Sequence, residues 1–537
     1  MKREYSEIGK RNKPLTQGQK GENQIENSDG AYVFEVDEQM KLNRFLILGS
    51  EGGSYYANAQ KLTLENAKTI QAMIEVNGVE VVKIVVDVSE SGRSPKNDPA
   101  LLVLAMCAAS KQPEVRRAAL DALHRVARIG THLFNFMDFH KQFAGTGRMF
   151  KTAVANWYNQ KTVNDVSFQV GKYQQRNGWS HRDVMRISHP NPKIASDSEK
   201  RNIVYKWVTK PEEVSQEELK SASEFLAAFE EIKKTDNQKT ILSLVEKYKM
   251  PLELVPTEKR TKKIYERMLD NFGLTALIRN LGVLTAQEVL KQGSFDNINK
   301  VCERLKDVKQ LKKARIHPLS VLVANEIYAQ GHGMRGKLSW NPVPKILDAL
   351  GEAFYMSFDY VEPTNKRLML SLDVSGSMTF HNIANMPITP RNASAALAMV
   401  TMRTEENYII NGFSSNLMDL NISPKQTLEQ VVKSISNLNF DYTDCSLPMR
   451  RAQEKNLKID AFVIYTDSET NAYGQADPMT ALKRYRNQTG IDAKLIVVGM
   501  VSNGFSVADP NDTNCLDVVG FSTDTPAVIS NFIKGEC

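Results

Sequence analysis

Asp373, Ser375 and Ser377 stand at alternate positions in Asp373-Val374-Ser375-Gly376-Ser377, directly after the apolar run Leu368-Met369-Leu370-Ser371-Leu372. A chain that leaves a buried strand and turns at once can converge a carboxylate and two hydroxyls on one point, an all-oxygen set that suits a hard divalent cation. Two later segments offer matching donors. Thr443 lies in Asp441-Tyr442-Thr443-Asp444-Cys445, ahead of an expected helix, and Asp467 follows the apolar run Ile464-Tyr465-Thr466 at an expected strand end.

A second segment, Lys172 to Pro190, carries a different chemistry. Lys172, Arg176, Arg182 and Arg186 are interleaved with Tyr173, Trp179, His181 and His189. Asn177-Gly178 marks a turn, and Ser180 with Asp183 reads as a capping-box helix start. On that helix Arg182 and Arg186 share a face, being four apart, while Val184 and Ile187 turn inward. The group offers phosphate contacts and stacking surfaces to RNA. Trp179 and Ile187 packed in a core beneath solvated charges would leave the same trace.

Composition bounds what can position these residues. The chain has 537 residues, 42% hydrophobic and 24% charged, which is ordinary for a folded chain and long enough for more than one core. Residues 364–537 hold 15 Lys and Arg against 18 Asp and Glu, a charge of −3, so the preceding residues carry +10 and the chain +7. That asymmetry suggests an anionic partner for the first part, although a solvated basic surface has the same composition. Five cysteines without paired or zinc-type spacing read as free thiols. No apolar run approaches the ~20 residues that span a bilayer, and Met1 leads into polar sequence, so the expected residence is cytoplasmic, with the nucleus left open.

Residues 1–30 are polar and read as a loose arm. Tyr32 to Leu48 reads as a strand or ribbon, followed by a glycine turn at Gly49 to Tyr56. From about residue 60 to 350 the dominant signal is helical, and the first domain is expected to span residues 31–363. In Pro113 to Ala127, Val115, Ala119, Ala122, Leu123 and Val126 form one apolar stripe. Similar units recur at Leu101–Ala109, Phe150–Tyr158, Ser221–Ile232, Thr240–Lys247, Tyr265–Leu281 and Leu319–Ala329. Tandem helices with one apolar face each fit an α-solenoid, and also a compact all-α bundle. Residues 364–537 change rhythm: Leu368–Leu372, Tyr408–Phe413, Ala461–Tyr465 and Leu495–Val498 are short apolar runs alternating with helical segments. The expected fold there is a doubly wound α/β sheet, with ligands beyond the carboxyl ends of its strands.

The Asp-x-Ser-x-Ser loop with the later Thr443 and Asp467 resembles the von Willebrand factor A fold and its metal-ion-dependent adhesion site. All five pattern positions are filled. The resemblance implies an octahedral Mg²⁺ or similar ion held by Asp373, Ser375, Ser377, Thr443 and Asp467, with one position left for water or for a partner's carboxylate. Asp467-Ser468-Glu469 departs from the Asp-Gly of many members. Taken with Arg44 to Tyr56 and Lys172 to Pro190, the chain is similar to the TROVE-module family over essentially its whole length.

That resemblance implies HEAT-like helical repeats closed into a ring with a basic hole. It further implies a monomer within a small ribonucleoprotein, with Y RNA on the outer surface of the ring and single-stranded 3′ ends of misfolded small noncoding RNAs in the hole. The role would be RNA quality control. Lys172, Arg176 and His189 become the first candidates for RNA contact, then Arg182 and Arg186. Arg116, Arg117, Arg125 and Lys262 extend the surface. The competing reading is a metal-dependent scaffold that captures an acidic protein partner. Enzyme chemistry finds no support, since Ser375 stands where a phosphatase of this fold would place its second carboxylate.

Overall fold

The computed structural model describes residues 15–27, 30–48, 59–94, 96–194, 197–334, 337–358, 361–380, 382–383, 388–436, 438, 441–501, 504–520 and 525–535. From Glu38 to Met356 the regular structure is almost entirely helical, followed by a six-stranded sheet with helices on both faces.

Apolar stripes make the helices pair. In Pro113–Asp121 the side chains of Val115, Ala119 and Leu120 are buried while Glu114 and Arg117 are exposed. The single helix expected from Pro113 to Ala127 is in fact two, Pro113–Asp121 and Leu123–Val126. The stripe continues through the joint at Ala122, so periodicity could not register a bend that keeps one face on one core. Likewise Ser221–Ile232 is divided at Ser223. This residue ends Gln216–Ala222 and caps Glu224–Lys234, its hydroxyl accepting the Leu226 N–H at 3.3 Å. The array returns on itself: Arg315 Nη1 reaches the Ser89 carbonyl at 3.5 Å across 226 residues of chain.

The expectation of a strand over Tyr32 to Leu48 is corrected. Only Tyr32–Glu35 is extended, and Glu38–Leu48 is a helix whose start is fixed by Asp37 Oδ1 accepting the Met40 N–H at 2.6 Å. The apolar cluster Phe45-Leu46-Ile47-Leu48 suits either conformation, and the cap decides between them. The turn expected at Gly49–Tyr56 lies outside the described residues. The arm expected over residues 1–30 is not loose where it is described: Gln24–Glu26 is a strand, and Gln17, Gln24 and Asn27 are buried.

The strands among the described residues are numbered in chain order: β1 Gln24–Glu26, β2 Tyr32–Glu35, β3 Gln175–Arg176, β4 Trp179–Ser180, β5 Leu368–Asp373, β6 Tyr408–Phe413, β7 Leu417–Asp419, β8 Ala461–Thr466, β9 Lys494–Gly499, β10 Phe505–Ser506 and β11 Cys515–Val519. The large sheet has the order β11-β9-β8-β5-β6-β7, parallel throughout except for β7. Every residue of β5 and β8 is buried, as expected of central strands covered on both faces.

Alternate strand residues feed two cores. Met369, Phe462, Ile464 and Val497 pack with Met449 and Leu482 on one face. Leu368, Leu370, Val463 and Val498 face the other side, where their core is continuous with that of the helical array. The two halves therefore share apolar packing. A second sheet, β1-β2-β10, pairs the N-terminal segment with a late strand of the α/β part. The described cysteines, Cys107, Cys302, Cys445 and Cys515, are free thiols. Among the described residues no helix is long and apolar enough to cross a membrane.

Candidate functional site

β5 and β8 are neighbours and end at the same edge of the sheet, which delivers Asp373 and Asp467 to one place. The Asp373 carboxylate is fully buried: Oδ1 accepts the Ser375 N–H at 2.9 Å and Oδ2 accepts the Thr466 hydroxyl at 2.7 Å. The Ser375 and Ser377 hydroxyls lie 2.9 Å apart, and Ser377 also hydrogen-bonds to Asp467. Asp467 Oδ1 accepts the Glu469 N–H at 3.1 Å. Four of the five candidate ligands thus form one bonded cluster.

Thr443, also buried, is tied to the Asp467 loop through its backbone. Its N–H donates to Asn471 Oδ1 at 2.6 Å, and its carbonyl accepts the Asn471 N–H at 2.9 Å and the Thr470 hydroxyl at 3.2 Å. Burial pushes the Asp373 carboxyl up, opposed by the Ser375 and Thr466 hydrogen bonds and by the Arg391 charge. Asp467 is pushed well above the usual carboxylate range by burial first, then by the charges of Asp373 and Glu469. The donors are all oxygen, and a cation among them would offset this accumulated negative charge. Among the described residues no three His, Cys, Asp or Glu side chains gather as a metal cage, so any cation here depends on the hydroxyls.

Several residues of this site escaped the sequence reading. Arg391, buried near the start of the helix Pro390–Thr404, donates Nη2 to the carbonyls of Val374 at 2.6 Å and Ser375 at 3.0 Å, fixing the first loop from behind. Asp444 is buried and accepts from the Ser446 N–H at 2.9 Å, the Ser446 hydroxyl at 2.6 Å and Arg450 Nη1 at 3.1 Å. Gln17, 427 residues away in sequence, donates Nε2 to Asp444 Oδ1 at 2.7 Å. No local sequence signal predicts such a partner. Ser468, where the family pattern favours glycine, has φ +66°, is fully buried, and its hydroxyl has no hydrogen-bond partner among the described residues. The departure from Asp-Gly therefore places a side chain where only glycine is unstrained.

The basic segment folds as its turn and cap residues dictate. β3 and β4 form a two-residue hairpin in which Asn177 (φ +50°) and Gly178 (φ +77°) both adopt the left-handed conformation of a type I′ turn. Ser180 and Asp183 then complete a capping box, opening the helix His181–Ser188. Arg176, Arg182, Arg186 and His189 are exposed, and Lys172 is half-buried with Nζ 5.5 Å from the Phe168 ring and 5.4 Å from the Tyr173 ring. Val184 is buried and Ile187 and Trp179 are partly buried, so both the apolar anchoring and the exposed charges are realised at once. His189 borders a polar cleft of about 420 Å³ shared with Arg148, Lys151 and Asn156, basic and polar groups that the sequence reading did not select.

The outlying basic residues differ among themselves. Arg117 is exposed and Lys262 is half-buried in the first turn of Lys262–Met268. Arg116 instead braces the loop after the helix Asp98–Ala108, donating Nη1 to the Ser110 carbonyl at 2.8 Å and the Lys111 carbonyl at 3.0 Å. Arg125 forms a two-pronged ion pair with Glu90, at 2.9 and 2.6 Å.

Comparison with known proteins gives this geometry its family. Residues 25–253 and 251–327 match the TROVE domain, and residues 367–533 match the Ro60 vWA domain. The protein named RNA-binding protein RO60 in Deinococcus radiodurans is 40% identical over the full length of both chains. Its namesake in Caenorhabditis elegans is 34% identical over 96% of this chain and 90% of its own. The crystal structure of the Deinococcus radiodurans RO (RSR) protein superposes with a TM-score of 0.71 at 39% identity, covering 93% of this chain and all of that one. A helical array matched by the TROVE domain, followed by an α/β sheet matched by the Ro60 vWA domain, makes this chain a member of the Ro60 family, which is non-enzymatic.

Proposed function

We propose that this protein binds RNA as the core of a small ribonucleoprotein. Y RNA would lie on the outer surface of its helical array, and the single-stranded 3′ ends of misfolded small noncoding RNAs would enter the array, for quality control. The observation that carries the reading is full-length relatedness to proteins named for RNA binding, joined to a basic segment in which Arg176, Arg182, Arg186 and His189 are exposed and Lys172 is half-buried. Arg117 and Lys262 extend this surface. Arg116 and Arg125 already hold intramolecular partners, which assigns them a lesser share of the contact.

The α/β part is proposed to hold Mg²⁺ through Asp373, Ser375, Ser377, Thr443 and Asp467 and to present it to an acidic side chain of a protein partner. Its three loops, over residues 373–383, 441–447 and 466–477, contain no Lys or Arg, so this face adds nothing to the attraction of phosphates. Tyr442 on the middle loop is exposed, as are Phe380 and Tyr473 on the other two. Aromatic side chains around a would-be cation suit a protein contact.

A mobility-shift titration with a structured RNA bearing a single-stranded 3′ tail, against a blunt control, tests the assignment. Wild type should favour the tailed RNA. Lys172→Ala with Arg176→Ala should weaken binding and lower the salt slope by about one per lost phosphate contact. Wild-type affinity and slope in that folded variant would place RNA binding elsewhere.

A further inference from the structure

Gln17 lies near the start of the described chain, yet it is buried between two of the three loops that carry the candidate metal ligands. All of its side-chain hydrogen-bonding atoms are engaged there. Nε2 donates to Asp444 Oδ1 at 2.7 Å and to the Ala476 carbonyl at 3.3 Å, while Oε1 accepts the Thr470 hydroxyl at 2.7 Å and the Ala472 N–H at 2.9 Å. Its backbone is held as well: the Gln17 N–H donates to the Gln475 carbonyl at 3.0 Å and its carbonyl accepts the Tyr32 N–H at 3.1 Å. One amide side chain thus bonds on one side the residue that follows Thr443, and on the other the loop that follows Asp467.

We infer that Gln17 is a positioning residue of the cation site, through which the N-terminal segment sets the separation of the Thr443 and Asp467 loops. The proposal rests on the Mg²⁺ reading above and adds a residue from outside the α/β part. Its logic is geometric. Mg²⁺ demands near-ideal octahedral positions at about 2.0–2.1 Å, so a displacement of a few tenths of an ångström in one hydroxyl is enough to weaken it. Thr443 is tied to the Asp467 loop through Thr470 and Asn471, and Thr470 in turn donates its hydroxyl to Gln17. The amide is matched to this junction because it presents a donor to the Asp444 carboxylate and an acceptor to Thr470 and Ala472 at once. A carboxylate in its place would face Asp444, and an apolar side chain would leave buried Asp444 Oδ1 and Ala472 N–H groups short of a partner. Outer residues of this kind typically change metal affinity 10- to 100-fold when replaced.

The test uses the full chain and Mn²⁺ as the probe, titrated by calorimetry into wild type, Gln17→Ala and Thr470→Val, the last of which cuts the same junction from the opposite side. Both variants should bind Mn²⁺ at least ~10-fold more weakly. Thermal melting in EDTA should fall in step with the lost buried hydrogen bonds, and affinity for tailed RNA should change little. The added melting temperature that wild type gains from Mn²⁺ should be largely lost in the variants. Wild-type Mn²⁺ affinity, within twofold, in both folded variants overturns the positioning role and leaves the cation reading standing. Failure of wild type itself to bind Mn²⁺ overturns the cation reading and this proposal with it.

Discussion

Arg44 and Asp517 meet in a two-pronged ion pair, Nη2 lying 2.6 and 2.7 Å from the two carboxylate oxygens, although 473 residues separate them. Arg44 is 1% exposed; its Nη1 also donates to the Phe505 carbonyl at 3.0 Å, and its guanidinium packs on Gly499. The first described helix is thereby fastened to the edge strand β11 and its inner neighbour β9. Removing one member of a buried pair leaves an uncompensated charge. Asp517→Ala should therefore lower stability by about 3–5 kcal/mol, whereas Arg44→Met with Asp517→Leu should recover most of it. Denaturant midpoints of the three proteins check this, and equal losses in the single and double variants would reject it.

Ser468 combines a left-handed backbone with a buried hydroxyl that has no partner among the described residues. Ser468→Gly relieves both and should raise stability by about 1 kcal/mol, while Ser468→Ala, which removes only the hydroxyl, should gain less. A glycine variant no more stable than the alanine one would show that the strain is absorbed elsewhere.

His181 is buried among Phe134, Trp157 and Tyr158, its Nδ1 2.8 Å from the Tyr158 hydroxyl. Burial lowers its pKa to about 3, and His132 is lowered to about 4 by burial and the neighbouring Arg128 charge. An unfolded histidine takes up a proton near pH 6.5, so between these values the unfolded chain binds more protons. The stability this gives is complete above about pH 6.5 and is lost as pH falls toward 3. His181→Gln should flatten that decline by up to about 1.4 kcal/mol per pH unit, read as denaturant midpoints from pH 7 to pH 4.5. An unchanged slope would mean the ring is hydrated or protonated in the folded chain.

Arg182 and Arg125 are both exposed arginines on helices of the basic part, but among the described residues only Arg125 of the two holds a carboxylate partner, Glu90. Arg182→Ala should lower the salt slope of RNA binding by about one, and Arg125→Ala by well under half of that. The reverse ranking would move the RNA surface toward the helices around Glu90.

Local signals made much of this architecture legible. The Asn177-Gly178 turn and the Ser180 cap locate the basic hairpin and helix because their chemistry is complete within a few residues. Strands β5, β6, β8 and β9 announce themselves as apolar runs, and the turn after β5 announces the site. What stayed hidden is long-range. Gln17 looks like any polar residue in a polar segment until Asp444 and Thr470 are placed around it. Arg391 reads as an ordinary helix-start residue until the Val374 carbonyl is found against it. The helix Glu38–Leu48 was misread because one aspartate cap, and not its apolar cluster, settles its conformation. The bend at Ala122 was invisible because the stripe it interrupts keeps facing the same core.

The strand β2 lies between β1 and β10, so its last hydrogen bonds come from residues synthesised long after it. At 5–20 residues per second, Arg44 waits on the order of tens of seconds for Asp517 to follow it out of the ribosome. Throughout that interval the helical array can assemble from near neighbours, yet its first strands keep an open edge and Arg44 an unmet charge. Docking of the N-terminal segment is therefore a closing event of biogenesis, and a nascent chain stalled before β10 would expose a handle that the finished protein conceals.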